Sequence, residues 1–204
     1  MIPRETIIYP VRALCAAFAR GAPTPELLTH FTEEPMPVAH EHGHPALAPF
    51  LGRPFNGLDG VGRYFDLLAS LVTFEDMRFD REDEWVVDQQ TLAVCVRGRA
   101  RFIWKATGET WDEAFCYRLG IAEEVSQSSE HSGQFKVQEY RVWSDTGAAY
   151  LASRGQLRQL ELAVDQKENQ TKKVPAAAKE ADPSSSYPPR DALGSGMNVY
   201  GNCG

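Results

Sequence analysis

Apolar positions recur with two different periods along the chain. In the first third the spacing is near four. "VRALCAAFARG" puts Val11, Leu14, Cys15 and Phe18 on one helical stripe, with Gly21 as its stop signal. "TPELLTHF" starts a second short helix, with Thr24 as the cap and Pro25 at its first position. A proline-broken extended piece, "EEPMPVAHEHG", leads to a third helix, "GLDGVGRYFDLLASLV". There Val61, Tyr64, Phe65, Leu68, Leu71 and Val72 recur at helical spacing, and Asp59 is the candidate cap. After Thr73 the period falls to two. "FEDMRFDREDEWVV" alternates, and "TLAVCVRGRARFIW" sets Leu92, Val94, Val96, Ala100 and Phe102 on one side against Arg97, Arg99 and Arg101 on the other. "KATGE" turns about Gly108, and "TWDEAFCYRLGIAEE" and "QFKVQEYRVWSD" are further long strands. "TGAAYLASRGQLRQLEL" reads as a terminal helix.

Helices gathered first and long strands after predict an α+β layer fold, with a curved antiparallel sheet wrapped on three N-terminal helices. A sheet bent that strongly leaves a cone-shaped cavity. One domain is expected over residues 1–160. From about residue 166 the chain is rich in Lys, Glu, Ser, Pro and Gly and poor in branched apolar residues. Such a segment buries too little surface to offset its ordering entropy, so residues 161–204 are expected to form a disordered tail.

Composition narrows the function classes. With 204 residues, 43% hydrophobic, one true core is affordable. The net charge is −7 and no basic run is present, so no nucleic-acid partner is expected. "MIPRETIIYPVRALCAAFARG" lacks the apolar stretch of a signal peptide or of a membrane span, which predicts no membrane partner and a cytoplasmic location. Cys15, Cys95, Cys116 and Cys203 show no CxxC spacing and read as reduced thiols, with Cys95 and Cys116 expected to pack inside; Cys203 fits no prenylation signal.

The candidate chemistry starts with "VAHEHGH". In an extended chain His40, His42 and His44 point one way, with Glu41 and Gly43 opposite. Same-face residues sit about 6 to 7 Å apart, too far for three imidazoles to reach one ion, so no metal is expected. Proton transfer suits them better, because imidazole titrates near neutrality. Either His40 or His42 could serve, with Glu41 the rival if the register is shifted by one; a plain strand end is the structural alternative.

Alternation groups Glu113 with Trp111, Phe115 and Tyr117, a bulky face that is buried or lines a pocket. Burial would raise its pKa toward that of a general base, while a cross-strand pair with Arg141 is the structural alternative. Glu139 shares a face with Val137, Arg141 and Trp143 and reads as an ion-pair residue. Asp145 reads as a helix cap, with a catalytic acid the alternative. Tyr64 could donate to a substrate oxygen or stand as a core tyrosine with its hydroxyl satisfied. The Arg97, Arg99 and Arg101 face reads as solvated or dimer-facing, with anionic-ligand binding the alternative.

Taken together, "FNGLDGVGRYFDLLASL", "VRGRARFIWKATGETWDEAFCYRL" and "VQEYRVWSDT" resemble the SnoaL-like branch of the nuclear transport factor 2 (NTF2)-like superfamily, over roughly residues 11 to 153. The resemblance implies a cone-shaped α+β barrel, commonly a homodimer, with an apolar pocket between helices and concave sheet. It also implies that enzymes of this kind mostly need no cofactor. Two function classes follow. One is a cyclase, isomerase or dehydratase acting on a small apolar metabolite, with His40, His42 and Glu113 moving protons and Tyr64, Trp111, Phe115, Tyr117 and Trp143 binding the ligand. The other is a non-enzymatic ligand carrier or dimerising module, which a sealed, purely apolar interior would favour.

Overall fold

A computed structural model describes residues 2–125 and 133–172, with side chains through residue 167. One compact unit spans Met1–Ala163 and a second comprises Val164–Gly204. In the first unit, α1 (Arg4–Ala19) begins well before the predicted Val11. Pro10 lies inside the helix, and Ile7, Ile8, Val11, Leu14 and Phe18 form its buried stripe. Gly21, at φ +68°, leaves the helix in a conformation that disfavours a side chain. In α2 (Thr24–Leu28) Thr24 is the first helical residue and Pro23 occupies the cap position, correcting the expected threonine cap. α3 (Gly57–Leu71) buries Val61, Tyr64 and Phe65, and Asn56, not Asp59, holds its N-cap position.

Strands β1 (Val38–Glu41), β2 (Phe55–Asn56), β3 (Val72–Phe79), β4 (Val86–Asp88), β5 (Ala93–Trp104), β6 (Thr110–Glu123) and β7 (Phe135–Trp143) make one sheet. Its order is β2-β1-β7-β6-β5-β3, with β4 beside β5. Val72, expected on α3, opens β3 instead, because its backbone is already extended.

The α+β class and the three N-terminal helices are as the sequence predicts. Two details differ. The sheet is mixed: β1 runs parallel to β7, with Val38 opposite Glu139 and Glu41 opposite Val142. It is also open, ending at β2 and β3, so the expected barrel does not close. α1 packs against the inner face of the sheet, and α3 joins it in the main core with Val94, Val96, Leu119, Val137 and Tyr140.

Inner and outer faces follow the alternation. On β5, Val94, Val96, Gly98 and Ala100 are buried while Arg97, Arg99 and Arg101 are exposed. Cys95 and Cys116 take outward positions and are only half-buried, correcting the expected interior packing; among the described residues Cys15 is the buried thiol. The terminal helix is two helices, α4 (Thr146–Ser153) and α5 (Leu157–Lys172), broken at Gly155, φ +66°. α5 runs past the Leu160 boundary that composition suggests. The rest of the expected tail, residues 173–204 with Cys203, lies outside the described residues.

Candidate active site

The concave face of β1, β5, β6 and β7 meets α1, α3 and the segment before α2 around a cavity of about 390 Å³. Its walls are largely aromatic, with Phe18, Phe50, Phe65, Phe74, Phe102, Phe115 and Tyr140 among them. Two carboxylates break this lining, Glu41 and Glu113, together with Tyr64, Tyr117, Trp111 and Ser144.

Strand register explains the grouping. Glu41 lies opposite Val142, and Val142 opposite Tyr117, so the three form one row across the inner face. Ser144 follows Val142 by two residues and lines the cavity beside it. On β6, Glu113, Phe115 and Tyr117 point inward in turn; Phe115 lies opposite Gly98, where an added Cβ would come within 2.3 Å of the Phe115 ring. α3 brings Tyr64 to the same place from the opposite wall.

Glu41 is 6% exposed. Its Oε2 accepts from the Tyr64 hydroxyl at 2.7 Å and its Oε1 from the Ser144 hydroxyl at 2.7 Å. Burial pushes its pKa up; the two hydrogen bonds oppose that, and nearby Glu113 adds to it. Glu113 accepts from the Trp111 indole N–H at 2.6 Å and from the backbone N–H of Asp145 at 2.7 Å. Burial raises its pKa too, against those two bonds. Tyr64, Tyr117 and Tyr140 are fully enclosed, and desolvation raises all three phenols, so each keeps its proton. The Tyr117 and Tyr140 rings pack against each other, centroids 4.9 Å apart.

The histidines stand elsewhere. Ala39 and Glu41 take the inward positions of β1, so His40 and His42 face out, correcting their expected approach to Glu113 in the cavity. His40 stacks on His42 (centroids 4.5 Å apart, 13° between planes), and His42 on Trp143 (4.3 Å, 6°). Trp143 is 42% exposed and lines no part of the cavity, contrary to its expected binding place. His44 lies in the following loop, where its Nδ1 accepts from the Ala46 N–H at 3.2 Å. Among the described residues no cluster of His, Cys, Asp or Glu could hold a metal ion.

The structure therefore gathers Glu113, Tyr64, Trp111, Phe115 and Tyr117 around one cavity. Glu41 entered the sequence reading only as the rival to the histidines. Ser144 was missed: it follows the last alternating pair of β7 and carries no periodic signal. Glu139 pairs with Arg118 and, at 2.6 Å, with Arg141 on the outer face, so the alternative Glu113–Arg141 pair does not form. Nor does Val137 share that face, since the register shifts beside Gly120. A second, shallower depression between α1 and the β3–β4 connection is open to solvent, and its Arg12 is engaged by Glu82 and Glu5.

No protein-family model matches the chain, and no curated protein matches it. Solved structures do. An NTF2-like protein from Burkholderia xenovorans LB400 is 20% identical, with a TM-score of 0.52 over 75% of this chain and 99% of its own. A ketosteroid isomerase-like protein from Erwinia carotovora atroseptica SCRI1043 is 19% identical, TM-score 0.50, over 71% and 98%. An NTF2-like protein from Burkholderia thailandensis E264 is 16% identical, TM-score 0.52, over 72% and 95%. These likenesses show the fold: the chain has the NTF2-like α+β architecture that the sequence resemblance implies.

Proposed function

We propose that the protein is an isomerase- or cyclase-type enzyme that moves a proton on a small apolar metabolite, with Glu113 as general base. The observation that carries this reading is a half-buried carboxylate in an aromatic cavity, positioned by an indole N–H and a backbone N–H. A base is most effective when its pKa approaches the working pH, and burial moves Glu113 in that direction. The aromatic lining suits a ring system, and among the described residues neither Glu41 nor Glu113 forms an ion pair. The fold shared with a ketosteroid isomerase-like protein agrees with this chemistry by analogy alone. Binding is assigned to Tyr64, Trp111, Phe115 and Tyr117; His40, His42 and Trp143 have no part in it.

The test uses β-tetralone, a bicyclic ketone with acidic hydrogens beside its carbonyl. Exchange of those hydrogens in deuterated water, followed by NMR, is expected to accelerate with the protein. Glu113→Gln should lower the acceleration by at least about a hundredfold, while His40→Ala and His42→Ala leave it unchanged. Binding without exchange would favour a ligand carrier.

The homodimer belongs to the same proposal. The outer sheet face carries both charge signs, Arg118 and Arg141 with Glu139, around the exposed Trp143, which suits pairing with a second copy about a twofold axis.

A further inference from the structure

The cavity is not sealed. Its exposed lining residues are Gly21 and Pro23 between α1 and α2, Ala69 on α3, Thr73 on β3 and Lys105 in the β5–β6 turn, and they mark where it opens to solvent. Other lining residues, Glu41, Tyr64 and Tyr140 among them, are buried. The lining thus runs from an exposed rim to an enclosed end.

Among the described residues that line the cavity, Lys105 is the one cation. The turn fixes its backbone: the Lys105 N–H donates to the Leu71 carbonyl at 2.9 Å, and the Gly108 N–H to the Trp104 carbonyl at 2.8 Å. The ammonium donates to the Ala69 carbonyl in the last turn of α3, where the helix dipole favours positive charge. An ammonium carries three N–H groups, so that contact leaves two to spare. Acids outnumber bases in the chain, 28 to 21, and Arg12, Arg20 and Arg97 each hold one. Among the described residues no carboxylate pairs with Lys105.

Charge then orients a ligand. An anionic group drawn to the buried end would lose its water in a cavity that already holds Glu41 and Glu113. At the rim it stays hydrated on one side and meets the spare N–H groups of Lys105. An apolar body has the opposite preference and leaves water for the aromatic walls.

We propose that Lys105 forms an anion-binding subsite at the cavity mouth, and that the ligand is amphipathic, an apolar ring body carrying a carboxylate on a short arm. A single ammonium matches a singly charged group. This subsite rests on the ligand-binding half of the proposed function and adds the charge class of the ligand. The ring enters first and the carboxylate stays at the opening. Lys105 moves no proton; it determines which molecules are retained.

Isothermal titration calorimetry with two probes of one shape tests this. They are 4-(2-naphthyl)butanoate and 4-(2-naphthyl)butan-1-ol, which differ in the terminal group. At low ionic strength the protein should bind the carboxylate about tenfold more tightly than the alcohol. That preference should shrink as salt is added, because the contact is exposed. Lys105→Met keeps the apolar stem, so it should abolish the preference while holding alcohol binding within about twofold. Lys105→Arg keeps the charge and should retain the preference. Equal binding of the two probes, or a preference that survives in Lys105→Met, overturns the proposal. Failure to bind either probe overturns it together with the cavity as the ligand site. β-Tetralone carries no charge and separates this subsite from the base. Exchange without a carboxylate preference removes only the subsite, and a carboxylate preference without exchange removes only Glu113 as the base.

Discussion

Tyr64 shows how one side chain serves both core and cavity. Its ring packs among Phe55, Phe65 and Tyr140 while its hydroxyl is committed to Glu41. Tyr64→Phe would keep the packing and leave a buried carboxyl oxygen without its donor. We expect about 1 to 3 kcal/mol lower unfolding free energy by urea titration. The pH dependence of stability carries two opposite signs. Glu41, raised above its ordinary 4.5, binds more protons folded than unfolded. Its contribution is complete below 4.5 and is lost as pH climbs through the raised folded value. His40 and His42, lowered from 6.5 by burial, contribute fully above 6.5 and lose that contribution as pH falls through their folded values. The wild-type stability minus that of Glu41→Gln isolates the carboxyl and should decline as pH rises above 4.5. A flat difference would mean that Glu41 titrates normally. Glu113 was legible at this scale because Trp111, Phe115 and Tyr117 mark its face; Glu41 was not, because its strand offers only Ala39 as an inward apolar neighbour.

At the scale of elements, the closest fit is between β5 and β6. Gly98→Ala would drive a methyl group into the Phe115 ring, which forms part of the cavity wall. We expect about 1 to 3 kcal/mol of destabilisation, seen as a lower urea midpoint with unchanged slope. At the end of β7, Asp145 accepts from the N–H groups of Gly147 and Ala148, the cap that its place before "TGAAYLA" predicts. Asp145→Ala should cost about 1 kcal/mol, measured the same way. Long strands and long helical stripes were readable because each repeats its period several times. The pairing of β1 with β7 was not: β1 has four residues and a partner about a hundred positions away, and no local pattern encodes so distant a neighbour. The early start of α1 was hidden by Pro10, which reads as a helix stop although the helix runs through it.

For the whole molecule, the outer sheet face is where the proposed second copy would sit. Trp143→Glu places a charge on that face without touching the cavity, so it should lower the dimer fraction in sedimentation equilibrium and leave β-tetralone exchange per folded chain unchanged. A chain that sediments as a monomer with Trp143 intact would remove the dimer from the proposal. Among the described residues no helix is long and apolar enough to cross a membrane.

The sequence by itself determined the class, α+β with helices first, and the inward face of β6 with its acid, since both follow from periods that local sterics impose on any strand or helix. Only the tertiary structure decided that Glu41 faces the cavity and the histidines face away. A strand of period two has two faces, and which one is buried depends on the neighbour it pairs with. Here that neighbour is β7, whose inward Val142 lies beside Glu41 and whose outer end carries Trp143, against which His42 stacks.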